Sequence, residues 1–205
     1  MLIKRILNIL FIIILLTTTN FSQNILYPIT HNGLWGYIDS TGTEIIQPKF
    51  IQCGSFSEGQ AFVKKGSNAY EGFSILDDIG FINTKNEFRS ISGFFSGFDE
   101  AENFCEGRAA VRLPGIGIFT RSKWGFIDTS LNVVIKPEYT KVGNFSEGLA
   151  WVEDKKMFLL FVISDNYGYV NPDGELVIPS RFEHAGNFYE GLANITLDGK
   201  KRIHK

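Results

Sequence analysis

The sequence predicts an all-β repeat fold: an antiparallel meander of about three strands per unit, with the units stacked as a curved array, either an open solenoid or a closed, propeller-like ring. Three observations predict it. Two aromatic–glycine anchors each recur four times at a nearly constant period. Turn-forming residues sit at the same place in each unit, between short apolar runs. Gly and Phe are abundant, at 21 and 19 of 205 residues, which suits tight turns joined by aromatic strands.

The first anchor is a large residue followed by Gly and two apolar residues. It occurs at Trp35-Gly36-Tyr37-Ile38, Ile79-Gly80-Phe81-Ile82, Trp124-Gly125-Phe126-Ile127 and Tyr167-Gly168-Tyr169-Val170, with steps of 44, 45 and 43 between the glycines. The second anchor is Phe-x-Glu-Gly: Phe56, Glu58 and Gly59; Phe104, Glu106 and Gly107; Phe145, Glu147 and Gly148; Phe188, Glu190 and Gly191. An Ala and then a Val or Ile follow each time, as in Ala61 and Val63. Linked anchors at a fixed period mark a repeat architecture. The units run at about 32–64, 77–112, 122–153 and 165–196. Unit two is the most divergent: it lacks the Pro of its neighbours and carries about four extra residues in the stretch Ser92 to Gly97.

Within a unit, the Trp-Gly segment reads as the first strand. Asp39-Ser40-Thr41-Gly42 and Asn171-Pro172-Asp173-Gly174 read as β-turns. Asp or Asn at the first turn position bonds nearby backbone, and Gly suits the fourth. A second strand follows at Glu44-Ile45-Ile46, Val133-Val134-Ile135 and Leu176-Val177-Ile178. Pro48, Pro137 and Pro179 are expected to end it, because Pro donates nothing to a ladder. The Ala-x-Val segment is the third strand. Asn32-Gly33 before Trp35 is a strong hairpin signal, and Asp198-Gly199 looks like the same turn opening a fifth start. Met157 to Ile163 is seven apolar residues in a row. It reads as a buried strand extension, with an exposed contact surface as the alternative.

Residues 1–22 read as a signal peptide: Lys4 and Arg5 lead, Ile6 to Leu16 is almost wholly apolar, and polarity then rises. The apolar run is shorter than the roughly 20 residues of a membrane span. The expected location is therefore exported: periplasm, cell surface or medium. Residues 23–205 form one β domain of about 183 residues, long enough to bury a core. Setting the leader aside leaves 18 basic against 22 acidic residues, a net charge of about −4. With no basic stripe, nucleic acid is not an expected partner, and nothing after the leader points to a membrane.

The run Lys123-Trp124-Gly125-Phe126-Ile127-Asp128, with Phe145-Ser146-Glu147-Gly148-Leu149-Ala150 downstream, resembles the WG-repeat family, also called KWG repeats. The resemblance spans roughly Asn32 to Ile195 in about four copies. Tyr167 stands for Trp in copy four, and Ile79 for Trp in copy two. It implies bacterial β-repeat proteins, many of them exported or on the cell surface, with no general activity attached.

No residue set announces catalysis. Glu58, Glu106, Glu147 and Glu190 tempt a glycosidase reading. An acid/base pair, however, needs two carboxylates in different environments, and these four share one. They are expected to be structural, accepting backbone N–H bonds at the turn. Trp35, Trp124 and Tyr167 either fill the core or line a stacking surface; filling is the expectation. Trp151, with counterparts Phe62, Ala110 and Asn194, varies freely between units, as an open face does. Trp151 and Phe62 are therefore the candidate ligand contacts. Cys53 and Cys105 occupy non-equivalent positions, so a disulfide and two free thiols both stay open. No metal-ligand spacing or phosphate loop occurs, and no cofactor is expected. The functional expectation is an exported, non-catalytic binding scaffold for an unknown protein or cell-envelope glycan. The alternative is a carbohydrate or cell-wall binder that uses exposed aromatics.

Overall fold

The computed structural model describes residues 25–66, 78–92, 97–115, 121–158 and 161–205, and of 155–158 and 161–165 only the backbone. The expected signal peptide and part of the unit-two insertion lie outside these residues. The described chain is antiparallel β throughout. In chain order the strands are β1 Tyr27–His31, β2 Leu34–Ile38, β3 Glu44–Cys53, β4 Gln60–Lys65, β5 Asp78–Asn83, β6 Phe88–Ser90, β7 Glu100–Ala101, β8 Arg108–Leu113, β9 Lys123–Asp128, β10 Val133–Tyr139, β11 Lys141–Val142, β12 Ala150–Phe158, β13 Phe161–Val170, β14 Leu176–Phe182, β15 His184–Tyr189, β16 Leu192–Leu197 and β17 Lys200–His204. They form a six-stranded sheet (β1 to β6 in order), two four-stranded sheets (β10-β9-β8-β7 and β11-β12-β13-β14) and a three-stranded sheet (β15-β16-β17).

The repeat shows as equivalent strands. β2, β5, β9 and β13 carry the Trp-Gly anchor. β3, β6, β10 and β14 follow it, and β4, β8, β12 and β16 carry Ala-x-Val. The third strand of one unit pairs with the first strand of the next, as in Ala61↔Ile82 and Ala109↔Ile127. Asn32 (φ 50°) and Gly33 (φ 78°) make the expected hairpin turn between β1 and β2, and Asp198 and Gly199 repeat it before β17.

Two expectations need correction. Pro48, Pro137 and Pro179 do not end the second strand; they lie inside β3, β10 and β14. Each strand carries on through a register shift, as between the pairs Tyr37↔Ile46 and Trp35↔Phe50. A bulge needs no donor from the residue it expels, so Pro fits there. Close approach of the second strand explains the anchor glycine. A Cβ on Gly36, Gly80, Gly125 or Gly168 would collide with the carbonyl of Ile46, Arg89, Ile135 or Ile178. The second correction is a strand segment that the sequence did not announce. β7, β11 and β15 pair with the third strand of their own unit, and in unit one the far end of β3 does so at Cys53↔Val63.

The turn after each first strand closes as its chemistry predicts. Asp39 Oδ1 accepts from Thr41 N (2.8 Å) and Thr43 N (3.0 Å), and Asn83 and Asn171 accept likewise. The fourth turn residue has positive φ in every unit: Gly42, Asn86, Leu131 and Gly174.

The core falls into four clusters, and each draws on neighbouring units. Tyr37, Ile46, Phe50, Ala61 and Val63 pack with Ile82 of unit two. Phe81, Phe104, Ala109 and Val111 pack with Phe62 of unit one and Ile127 of unit three. Phe126, Ile135, Phe145, Ala150 and Val152 take Ala110 and Val170 from either side. Tyr169, Phe182, Ala185, Phe188, Ala193 and Ile195 are joined by Leu149 and Trp151 of unit three. In that last cluster His204 stands where Ile82, Ile127 and Val170 stand in the others. Its ring lies 5.4 Å from Phe182 and 6.5 Å from Phe188. Burying one such apolar side chain is worth about 1.5–3 kcal/mol. A unit without its neighbours forgoes several of them.

Candidate functional site

The Phe-x-Glu-Gly segments build two-residue turns. Ser57↔Gln60, Cys105↔Arg108 and Ser146↔Leu149 bridge across them, and Glu58, Glu106, Glu147 and Glu190 have φ between 51° and 54°. Gly59, Gly107, Gly148 and Gly191 follow at φ 74° to 78°. Two successive positive φ values define the hairpin turn that matches strand twist, and Gly takes the second position without a Cβ penalty. Nothing lies within 4 Å of a Cβ there, so conformation and not space requires these glycines.

The left-handed Glu carries its carboxylate to the equivalent turn of the next unit. Glu58 Oε2 accepts from Gly107 N at 2.9 Å. Glu106 accepts from Glu147 N at 2.7 Å and Gly148 N at 2.8 Å. Glu147 Oε2 accepts from Gly191 N at 2.7 Å. Where a Ser precedes the Glu, as in units one and three, it adds a parallel contact: Ser57 Oγ donates to Phe104 O and Ser146 Oγ to Phe188 O. Glu190 makes no such bond among the described residues. The glutamates accept backbone N–H bonds, as expected, but from the following unit and not from their own turn.

The first-strand residues Trp35, Trp124 and Tyr167 are partly buried against the clusters of their units. Behind them, Tyr37 and Tyr169 are fully buried and donate to Gly54 O (2.8 Å) and Gly186 O (2.9 Å). Burial pushes the Tyr169 pKa up to about 12.

The position shared by Phe62, Ala110, Trp151 and Asn194 is not one open face. Phe62 is only 4% exposed and Ala110 only 2%; Trp151 is half-buried and Asn194 exposed. Phe62 packs edge-on to Phe81 with centroids 6.1 Å apart, so this candidate contact is a core residue. A backbone N–H of the preceding segment faces this position in units one to three. Gly54 N bonds Phe62 O, Glu102 N bonds Ala110 O and Gly143 N bonds Trp151 O. Gly143 leaves the space that the Trp151 indole fills; a Cβ there would strike Trp151 Nε1. Trp151 and Phe62 lie at different unit junctions and do not form one site.

Around Trp151 the structure assembles a polar group that the sequence reading missed. Glu153 is 2% exposed. Its carboxylate accepts from Tyr167 Oη (2.8 Å) and Thr140 Oγ1 (2.8 Å) and pairs with Lys141 Nζ (3.3 Å). Burial works to raise the Glu153 pKa. The hydrogen bonds from Thr140, Tyr167 and Lys141, with the charge of Lys141, outweigh it and hold the carboxyl below its ordinary value. The Tyr167 ring stands 5.6 Å from Trp151 and 5.8 Å from His184. Unit two has the same arrangement with opposite charge. Arg112 occupies the Glu153 position, meets Asp99 bidentately (2.9 and 3.0 Å) and Glu100 (2.6 Å), and lies over Trp124. The signal was present in the sequence: the residue after Ala-x-Val is Lys64, Arg112, Glu153 or Thr196, polar in every unit, and 112 and 153 reverse sign together with their partners.

An ionised carboxylate holding three donors has no proton to give, and most of its acceptor capacity is taken up within the protein. Cys53 and Cys105 are free thiols, both with pKa raised chiefly by burial. Among the described residues no three His, Cys, Asp or Glu side chains converge as metal ligands.

Fold and site together define a class: an all-β protein of repeated antiparallel units whose recurring polar side chains bond one unit to the next. The family model of the WG containing repeat matches residues 35–68, 124–156 and 167–200, and the chain belongs to the WG-repeat family. Unit two, with Ile79 for Trp and its insertion, falls between the matches. No curated protein and no solved structure matches the chain.

Proposed function

We propose that the chain is an exported, non-catalytic β-repeat scaffold whose units stack into one curved array and bind a partner in the cell envelope. The observation that carries this reading is the succession of carboxylate bridges, Glu58 to Gly107, Glu106 to Gly148 and Glu147 to Gly191. It supports stacking because each bridge joins equivalent turns of consecutive units. It supports a non-catalytic role because it engages three of the four Phe-x-Glu-Gly glutamates in backbone hydrogen bonds. Crosslinking and pull-down with the chain from residue 23 onward, in its native envelope fraction, should recover a partner that survives Glu147→Gln. An enzyme would instead show one irreplaceable glutamate among the four.

A second reading is carbohydrate binding. The half-buried rings of Trp151 and Tyr167 beside His184 favour it, because no other unit junction carries three rings at these positions. Binding on a glycan array that Trp151→Ala abolishes would support it. Silence on a broad array would remove it.

A further inference from the structure

β17, Lys200–His204, stands in the register of a first strand. Ala193↔His204 and Ile195↔Arg202 repeat Ala61↔Ile82 and Val63↔Gly80, Ala109↔Ile127 and Val111↔Gly125, and Ala150↔Val170 and Val152↔Gly168. Each of β2, β5, β9 and β13 carries the second strand of its unit on its other edge. Among the described residues nothing pairs with that edge of β17, the last strand of its sheet. Backbone groups of an antiparallel strand alternate between its two sides, so β17 keeps a row of N–H and C=O groups open there.

Two features say what fits this edge. The first is Arg202, which takes the register position of the anchor glycine. A Cβ on Gly36, Gly80, Gly125 or Gly168 would strike a carbonyl of the second strand. A strand lying as close as β3, β6, β10 and β14 therefore cannot lie against β17, which excludes the second strand of another copy in its native pairing. A straight strand at the ordinary spacing of about 4.8 Å clears a side chain. The second feature is charge. Residues 198–205 hold four cations against Asp198, a net charge of +3, whereas residues 23–197 carry −7. Lys200, Lys201, Arg202 and Lys205 are exposed and free of hydrogen bonds and ion pairs among the described residues. Cations of the inner units are engaged, as Lys49 with Asn86, Arg108 with Pro172 and Arg112 with Asp99. Ile203, 67% exposed, is the apolar residue among the free cations. Like charges across a strand pair repel, so these cations keep a second β17 away. Carboxylates set opposite them attract.

We propose that the free edge of β17 is a strand-addition site for an acidic, extended segment of a partner protein. The site deepens the scaffold reading, on which it rests, by naming the edge and the chemistry of the partner. Backbone bonds supply the pairing, carboxylates opposite Lys200, Lys201 and Arg202 select the partner, and an apolar residue opposite Ile203 fixes its register.

The test uses the chain from residue 23 onward and a fluorescein-labelled peptide of about ten residues, the length of a long strand, rich in Glu and Asp around a central Val. Anisotropy should show binding with a Kd below about 1 mM that weakens with salt. Amides of Lys200 to His204 should gain protection from hydrogen exchange when the peptide is added. Lys200→Glu, Lys201→Glu and Arg202→Glu combined should weaken binding at least tenfold and create binding to the matching Lys-rich peptide. Should that variant not fold, Lys201→Gln with Arg202→Gln should weaken the acidic peptide alone. No binding, or binding that leaves exchange in β17 unchanged, overturns the proposal. Polygalacturonate or phosphatidylglycerol vesicles held through the same cations, with no binding of the peptide, overturn it in favour of an anionic glycan or bilayer. An envelope partner captured equally by the parent and charge-reversed chains overturns this site and leaves the scaffold reading standing.

Discussion

Glu106 and Gly148 belong to consecutive units, and the carboxylate of one holds the backbone N–H of the other at 2.8 Å while also taking Glu147 N at 2.7 Å. Glu58 and Glu147 each make one bond of this kind, and Glu190 makes none among the described residues. Alanine at the four positions should therefore have graded effects. An exposed hydrogen bond to a charged acceptor is worth about 1 kcal/mol. Glu106→Ala should cost about 2 kcal/mol, Glu58→Ala and Glu147→Ala about 1 each, and Glu190→Ala close to nothing, by urea unfolding. Four equal losses would show that the glutamates act within their own turns.

The two kinds of repeated glycine should fail differently. Gly125→Ala puts a methyl group against the carbonyl of Ile135, and overpacking against backbone should cost about 3 kcal/mol. Gly148 sits in open space at φ 77°. Gly148→Ala meets only the left-handed penalty of about 1 kcal/mol, and Gly148→Asn should recover part of it. Thermal unfolding of the three variants side by side checks the order.

Glu153 ties stability to pH. Its folded pKa is depressed, so its contribution is fully present above the ordinary value of about 4.3 and is lost as pH falls through the folded value. Glu153→Gln should cost about 2 kcal/mol at pH 7, because Lys141 and Tyr167 lose a charged acceptor. The gap between parent and variant should narrow below about pH 4. Denaturant unfolding at pH 7, 5 and 3.5 reads this directly, and a gap that widens towards acid would contradict it.

Trp151 and Gly143 are steric partners, since any Cβ at 143 would strike the indole. Gly143→Ala should displace the ring and move Trp fluorescence to longer wavelength, with a stability loss of about 1–3 kcal/mol. Adding Trp151→Ala should cost less than the two separate losses combined, as expected for residues that share one space.

Much of the fold was legible because each unit repeats the same local chemistry. Asn32-Gly33, Asp39 and the Phe-x-Glu-Gly turns each announce a backbone conformation without help from distant residues. What was not legible depended on which residue faces which. Pro48 reads as a strand end until the bulge opposite Gly36 is known. Phe62 and Trp151 read as free positions because their size varies, and Gly143, which leaves the room that the Trp151 indole fills, lies eight residues upstream, just past β11. The partner of Glu58 could not be read at all. The period says that Gly59 and Gly107 are equivalent, not that one unit reaches the other. The polar group of Glu153 leaves a trace in the sequence, in the sign reversal from Arg112 to Glu153 and from Glu100 to Lys141.

The carboxylate bridges have a direction. Every inner unit hands a carboxylate forward and receives one from behind, so the bond pattern at a junction does not depend on how many junctions there are. Duplicating or deleting one whole inner unit therefore leaves each surviving turn with a giver and a receiver, whereas inserting a fraction of a unit leaves an N–H pair facing nothing. Gene-level change in such a chain is free to proceed in steps of one full period, and array length becomes the quantity most easily varied between relatives.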